Sequence, residues 1–308
     1  MNSKQVMVSI CCQTYNHAGY IQEALDSFLM QETDFTFEIL LRDDASTDGT
    51  AEICKDYASK YPDKVNLLAY DENQYTKGVK PLVDNIKRAR GKYIALCEGD
   101  DYWTDPYKLQ KQVDFLEENE EYSGCGHQAI RINEIESTEK VFFKNVAPTL
   151  HLKDILFHRK LHTASLMFRS CITKENKFPS NIFSGDRALN FLIASKGPIC
   201  FLADTMCVYR KNAGGISSKV TVDMLKNDFN MIPWLYDINH NFPRSTYKSI
   251  IYKTLFEYPN HIGFWSFLKY YCLYLFYSFS YFPKNIIPVA KFTVGKLYVT
   301  IRGMIKNR

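Results

Sequence analysis

Along the first 120 residues the apolar positions alternate between two rhythms. Val6 to Cys12 is an almost unbroken apolar run, closed by the turn residues Tyr15-Asn16-His17-Ala18-Gly19. Ile21, Leu25, Phe28 and Leu29 then recur at i, i+4, i+7 and i+8, one face of a helix. The same exchange continues through an apolar run at Phe37 to Leu41, a helical pattern at Ala51 to Ser59, a strand at Val65 to Tyr70, a helix at Leu82 to Ala89 and a strand from Tyr93. Strand and helix in strict alternation predict an α/β fold with a mainly parallel, doubly wound sheet. After Trp103, Asp105 suits an N-cap with Pro106 at the first helical position, and Leu109, Val113 and Leu116 mark a buried face.

From about Gly124 the rhythm shortens to brief strands and irregular loops, a second half that covers the sheet edge. Candidate strands are Ala129 to Ile132, Val141 to Phe143, Ala164 to Phe168, Ile199 to Leu202 and Met206 to Tyr209, with a helix from Ala188 to Ser195. The pattern divides the chain into residues 1–105, residues 106–218 of the same domain, and a helical region over 219–308. There is no internal repeat and no low-complexity linker.

The last region differs in kind. Between Phe264 and Phe282 the sole charge is Lys269, and Phe, Tyr and Trp265 dominate. Beyond Glu257 every charged side chain is basic: Lys269, Lys284, Lys291, Lys296, Arg302, Lys306 and Arg308. Tyr and Trp favour the headgroup boundary, whereas a spanning helix is richer in Leu, Ile and Val. The composition therefore favours a helix lying in or against an anionic membrane surface over a buried aromatic helix, and both over a span.

Composition narrows the rest. At 308 residues the chain is long enough for a sizeable core, and 38 Lys+Arg against 34 Asp+Glu is too slight an excess to suggest nucleic-acid binding. Nine cysteines, with no Cys-x-x-Cys pair, point to a reduced protein, with Cys11 and Cys12 as small core residues. Met1 to Val6 enters a strand without the basic start and apolar run of a signal peptide, which predicts a cytoplasmic protein on the inner face of the membrane.

The chemistry gathers where two apolar runs end. Tyr93-Ile94-Ala95-Leu96-Cys97 leads into Glu98-Gly99-Asp100-Asp101-Tyr102-Trp103, and Phe37 to Leu41 leads into Arg42-Asp43-Asp44-Ala45-Ser46-Thr47-Asp48-Gly49-Thr50. Open α/β sheets bind ligands outside the carboxyl ends of their strands, so two acidic strand ends facing one crevice suit a divalent cation and a phosphorylated substrate. Capping the next helix accounts for Thr47 or Asp48 but not for Asp43 and Asp44.

These segments, with Val8 to Asn16 before them, resemble inverting family 2 glycosyltransferases of the GT-A fold over about the first 120 residues. The resemblance implies that residues 1–105 bind the nucleotide sugar and residues 106–218 the acceptor. It implies that Thr14, Tyr15 and the Asp43 carboxylate hold the base, Asp43 accepting an imide N–H of uracil, while Asp44 assists at the ribose. Glu98-Gly99-Asp100 falls where the family has its metal-binding D-x-D. Asp100 is then the direct ligand of Mg²⁺ or Mn²⁺, Glu98, longer than the usual Asp, orients ribose or water, and Gly99 lies with Glu98 at the nucleotide. Ser184-Gly185-Asp186 matches the segment of the general base, so Asp186 would deprotonate the acceptor hydroxyl; capping the next helix is its structural alternative. Tyr209-Arg210-Lys211-Asn212 resembles Tyr-Arg-x-His with Asn212 in place of His. Asp101, Trp103 and Arg210 are candidate sugar or acceptor contacts, though Trp103 equally suits packing of the turn.

The implied activity is transfer of a sugar, hexosyl or N-acetylhexosaminyl, from a UDP-linked donor to a hydroxyl of a lipid-linked or polysaccharide acceptor, with inversion. Rival readings are a catalytically degenerate nucleotide-sugar binder or scaffold at the membrane, and a sugar nucleotidyltransferase. The latter calls for a Gly-rich basic loop where Gln13-Thr14-Tyr15-Asn16-His17 stands. His158 and His162 have helical zinc-ligand spacing without a third ligand, and read as structural. Lys77, Lys80, Lys87, Arg88 and Arg90 read as a solvated face with one member able to meet a diphosphate.

Overall fold

A computed structural model describes residues 5–212, 220–257 and 263–279. Within them the chain forms two compact units, one of residues up to 181 together with those from 185 to 212, the other of residues 182–184 and those from 220 onward.

The first unit is built on one sheet. Strand β1 (Val6–Thr14) lies between β2 (Thr36–Asp43) and β4 (Tyr93–Leu96), and β3 (Val65–Ala69) extends the row beyond β2, all parallel. Helices α1 (Ile21–Leu29), α2 (Thr50–Lys60) and α3 (Pro81–Ile86) make the crossovers. Alternate residues of β1, Val8, Ile10 and Cys12, are fully buried in one core with Ile21, Ala24, Leu25 and Phe28 of α1. That burial explains the sequence rhythm, because a parallel strand covered on both faces reads as continuous apolar residues.

Past β4 the sheet is mixed. The two-residue β5 (Tyr102–Trp103) precedes α4 (Lys108–Glu118) and β6 (Gly124–Asn133). After β7 (Thr138–Val141), β8 (Thr149–Leu150) and α5 (Leu152–Leu156) comes β9 (Met167–Arg169), antiparallel to both β4 and β6. Helices α6 (Cys171–Glu175) and α7 (Gly185–Lys196) lead to β10 (Ile199–Lys211), parallel to β6 and antiparallel to β5. The expected mainly parallel sheet thus holds for the first four strands, and among the described residues five short antiparallel pairings, including β6 with β7 and β8 with β10, make the second half mixed.

Several boundaries differ for local reasons. Ile199 to Leu202 and Met206 to Tyr209 are one strand, whose register with β6 shifts on both sides of Thr205; the exposed Ala203-Asp204-Thr205 segment interrupts the apolar pattern and hides the continuity. The helix after Pro106 begins later, at Lys108, because the Asp105 carboxylate accepts the Tyr107 N–H in a local turn instead of capping. His162 ends no zinc helix: it is buried and accepts the Ala164 N–H at 3.2 Å, capping the 3₁₀ turn Thr163–Ser165.

The second unit contains α8 (Val222–Lys226), α9 (Met231–Ile238), α10 (Arg244–Glu257) and α11 (Phe264–Phe279). Its buried Asp228 accepts the N–H groups of Phe183 and Ser184 at 3.1 and 2.8 Å. One side of the aromatic helix α11 packs on α10, with Phe256 meeting Phe267, Tyr271 and Tyr274 at ring distances of 5.4–5.8 Å. The other side leaves Trp265 and Phe276 exposed at 78 and 68 %. The aromatic run is therefore partly a buried helix, an alternative to the membrane reading that covers only one face. The basic residues from Lys284 to Arg308 lie outside the described residues. Among the described residues no helix is long and apolar enough to cross a membrane.

Candidate functional site

Three loops leave the carboxyl ends of β1, β2 and β4 and are tied to one another. In register, Thr14 of β1 faces Asp43 of β2, and Cys11 faces Leu96 of β4. Beyond the strands, Asn16 N–H donates to Ser46 Oγ at 2.9 Å, Thr47 N–H to Asn16 Oδ1 at 2.9 Å, and Ala18 N–H to Asp48 Oδ2 at 3.0 Å. Asn16 and Ala45 sit in the left-handed region, at φ 54° and 63°. Non-glycine residues persist there when surrounding bonds over-determine them, which these do.

On the β4 side, Gly99 N–H donates to Gln13 O at 3.0 Å, which lays the acidic loop along the end of β1. Gly99 is there for space: a Cβ on it would sit 2.8 Å from Thr14 Cβ and Oγ1. Glycine admits the close approach, so Gly99, expected at the nucleotide, is buried against Thr14.

The acidic side chains divide by partner. Asp43 is buried and accepts the N–H and hydroxyl of Ser46, leaving each oxygen a further lone pair. Asp44, expected at the ribose, instead accepts the N–H groups of Gln74 and Tyr75 at 3.1 and 3.0 Å, with Arg42 Nη2 3.0 Å away. Its carboxylate anchors the 73–75 loop. Tyr15 is 46 % exposed at the rim. Glu98 Oε1 accepts a long bond from Gln13 Nε2 at 3.4 Å, while Oε2 is buried without a hydrogen-bond partner. Burial first, and then the Asp100 charge, push Glu98 up to about 7. Burial and the same neighbours raise Asp101 well above the usual carboxylate range.

Asp100 Oδ2 accepts from Asn212 Nδ2 at 3.1 Å and lies 3.9 Å from His17 Nε2. Asn212 is thus an amide donor to Asp100. His17 went unassigned in the sequence, although it follows the first motif directly. Its Nδ1 is buried and without a partner. Asp101 is buried and accepts the Arg210 N–H at 2.9 Å; Arg210 Nη1 in turn donates to Asp100 O at 3.0 Å and stacks over Tyr102. Burial keeps His162 neutral, so its 3.7 Å approach to Asp101 is not an ion pair. Arg210 and Asp101 brace the loop from beneath.

Of the two roles open to Trp103, the structure shows packing of the turn. It is 1 % exposed, packs on Phe28 at 4.8 Å between rings and donates its indole N–H to Ala164 O at 2.8 Å, so it packs the turn and meets no sugar. Beside it Lys108 is buried, with Nζ 3.9 Å over the Trp103 ring and bonded to Gln112 Oε1 at 2.7 Å. Asp186 stands in the first turn of α7, 39 % exposed, with Oδ2 3.1 Å from Arg159 Nη2. Three members of the basic run hold structural partners: Arg90 pairs with Glu38, Lys77 with Glu72, and Arg88 donates to Asn66 and Leu41.

Among the described residues no three His, Cys, Asp or Glu side chains already converge as a cation site. The donors nonetheless fit one. Hard oxygen ligands, an orphaned buried carboxylate oxygen and mutual repulsion among Glu98, Asp100 and Asp101 are what a divalent cation would offset.

The sequence profile of glycosyl transferase family 2 matches residues 9–173, more than half of the chain, and spans these loops. The chain belongs to glycosyl transferase family 2. An uncharacterised protein of Mycobacterium tuberculosis is 37 % identical over 221 residues, 71 % of this chain and 63 % of that protein. The chain thus spans under two thirds of such relatives. The poly(ribitol-phosphate) beta-glucosyltransferase of Bacillus spizizenii is 33 % identical over 178 residues, 57 % of this chain and 27 % of its own. Among solved structures, S. aureus TarS 1-349 in complex with UDP-GlcNAc superposes with a TM-score of 0.61 at 21 % identity, covering 91 % of this chain and 76 % of TarS. The mannosyltransferase PcManGT of Pyrobaculum calidifontis, in complex with GDP-Man and Mn²⁺, gives 0.56 at 16 % identity over 97 % of this chain and 81 % of its own. Family 2 membership and these neighbours identify the fold as GT-A-like.

Proposed function

We propose that this family 2 chain is an inverting glycosyltransferase that moves a sugar from a UDP-linked donor to a hydroxyl of a lipid-linked or polysaccharide acceptor. The observation that carries the reading is the junction of Thr14, Asp43 and the Glu98–Asp101 loop at the ends of three neighbouring parallel strands. UDP-GlcNAc in TarS supports a nucleotide-sugar donor, and the Bacillus spizizenii glucosyltransferase supports a polymeric acceptor.

In this reading Asp43, with lone pairs to spare, accepts from the base, while Thr14 and Tyr15 border it. Asp100, with Glu98 beside it, would hold Mg²⁺ or Mn²⁺, which supplies neutralisation of charge on the departing nucleoside diphosphate. Asn212 and Arg210 orient Asp100 through its carboxylate and its carbonyl. Asp186 accepts the acceptor hydroxyl's proton, since a sugar hydroxyl is a poor nucleophile at neutral pH. The exposed face of α11, with Trp265 and Phe276, and the basic residues beyond it bring the enzyme to an anionic membrane surface on the cytoplasmic side.

Asp186→Asn tests the catalytic assignment. It keeps size and removes basicity, so donor binding should persist while sugar transfer slows by roughly 10²- to 10⁴-fold. Turnover at the wild-type rate would remove Asp186 from the mechanism.

A further inference from the structure

Arg159 is not part of any motif in the sequence, yet it joins two parts of the site. Its Nη2 lies 3.1 Å from Asp186 Oδ2, and its Nε donates to Leu161 O at 3.2 Å, which fixes the orientation of the guanidinium. Its charge is felt at Glu98 and Tyr209, where it opposes part of the rise that burial gives each, and it acts against protonation of His162. A cation therefore stands between the acidic loop and the candidate base. Other arginines near the loops hold structural partners: Arg42 is paired with Asp44 and Asp84, and Arg210 with Glu23 and the Asp100 carbonyl.

The Arg159–Asp186 pair is weakly held. Its side chains are 43 and 39 % exposed, and ion pairs in that setting contribute little to stability. A diphosphate offers a guanidinium more charge and a matching fork of acceptor oxygens than one solvated carboxylate does. We propose that Arg159 is a donor-binding residue that exchanges Asp186 for the diphosphate of the nucleotide sugar, so that Asp186 is freed for the acceptor hydroxyl only once donor is in place. This inference rests on the donor reading above and adds an order of binding to it. In the transfer step the acceptor oxygen bonds to the anomeric carbon as the bond to the diphosphate oxygen breaks. The electron pair of that bond leaves with the diphosphate, beside Arg159, and the hydroxyl proton passes to Asp186.

Calorimetry on the full chain with Mn²⁺ tests it, using UDP and UMP against wild type, Arg159→Ala, Asp186→Asn and the double variant. Loss of a charge-assisted contact predicts roughly 10- to 100-fold weaker UDP binding by Arg159→Ala, with a much smaller change for UMP. The UDP-to-UMP ratio within one variant guards against a folding defect. Asp186→Asn should bind UDP several-fold tighter than wild type, because the competitor of the diphosphate is gone. That gain should vanish in the Arg159→Ala background. Unchanged UDP affinity in Arg159→Ala, or the same effect of Asp186→Asn with and without Arg159, overturns the proposal and leaves the donor reading intact. Failure of the wild type to bind either UDP or UMP overturns both.

Discussion

Replacing Gly99 by alanine is the sharpest local perturbation of the site. The new Cβ would lie 2.8 Å from Thr14 Cβ and Oγ1 and 2.9 Å from Ile21 Cδ1. The isoleucine methyl can swing aside; Thr14 Cβ is fixed on β1, so the Glu98–Asp101 loop must lift off the strand end. Overpacking of this kind costs about 1–3 kcal/mol, which lowers a melting temperature by roughly 2–12 °C in a unit of this size. The same displacement carries Glu98 and Asp100 away from Thr14 and Asp43, so nucleotide affinity should fall with stability. Gly91→Ala is the control. Its Cβ would meet backbone alone, Ser9 N at 2.6 Å, Tyr93 O at 2.7 Å and Val8 C at 2.9 Å, near the amino end of β4. It should cost at least as much stability, yet leave the folded fraction's nucleotide affinity unchanged. Thermal melts paired with UDP calorimetry decide the matter. A Gly99→Ala protein with wild-type melting and affinity, or a Gly91→Ala protein with the larger loss of affinity, would refute the reasoning.

Trp103→Phe should lose about 1–3 kcal/mol in urea denaturation by leaving the buried Ala164 carbonyl without its donor, with donor affinity unchanged; a selective loss of sugar-dependent binding would return Trp103 to the site. Lys108 gives a pH signature, since burial lowers its pKa to about 8 from the ordinary 10.5. The folded state then binds fewer protons than the unfolded between those values, so stability rises with pH through that window, by roughly 3 kcal/mol in all. Subtracting the Lys108→Met profile isolates the effect, and a flat difference between pH 8 and 10.5 would contradict the burial argument. For the second unit, vesicle sedimentation should show the full chain binding anionic membranes at low salt and releasing at high salt, with Trp265→Ala and Phe276→Ala weakening the bound state.

Much of the first half was legible because its physics is local. Both-face burial of β1, β2 and β4 writes apolar runs into the sequence, and the carboxylates stand directly after them. What each carboxylate touches was not legible. Asp43 and Asp44 are neighbours of one type, but the chain folds Gln74 and Tyr75 onto Asp44 and leaves Asp43 lone pairs to offer. Trp103 read as ambiguous because an aromatic after an acidic turn has the same pattern whether it faces sugar or Phe28. Arg159 was invisible: its importance lies in a 3.1 Å contact with a residue 27 positions away, and no spacing rule reports that. The second half blurred because short antiparallel pairings and the register shift within β10 break the strand and helix rhythm. Cys11 and Cys12 are buried core residues, as their place in an apolar run implied.

The central claim is a nucleotide-sugar site at the ends of β1, β2 and β4 that uses a divalent cation. Calorimetric titration of UDP into the wild type, with Mn²⁺ and then with EDTA, tests it most directly, alongside Asp43→Ala and Asp100→Ala. The account predicts tighter binding with Mn²⁺, loss of that metal dependence in Asp100→Ala, and weaker binding by Asp43→Ala under both conditions. Equal UDP affinity with Mn²⁺ and EDTA in the wild type, or undiminished affinity in Asp43→Ala, would contradict it.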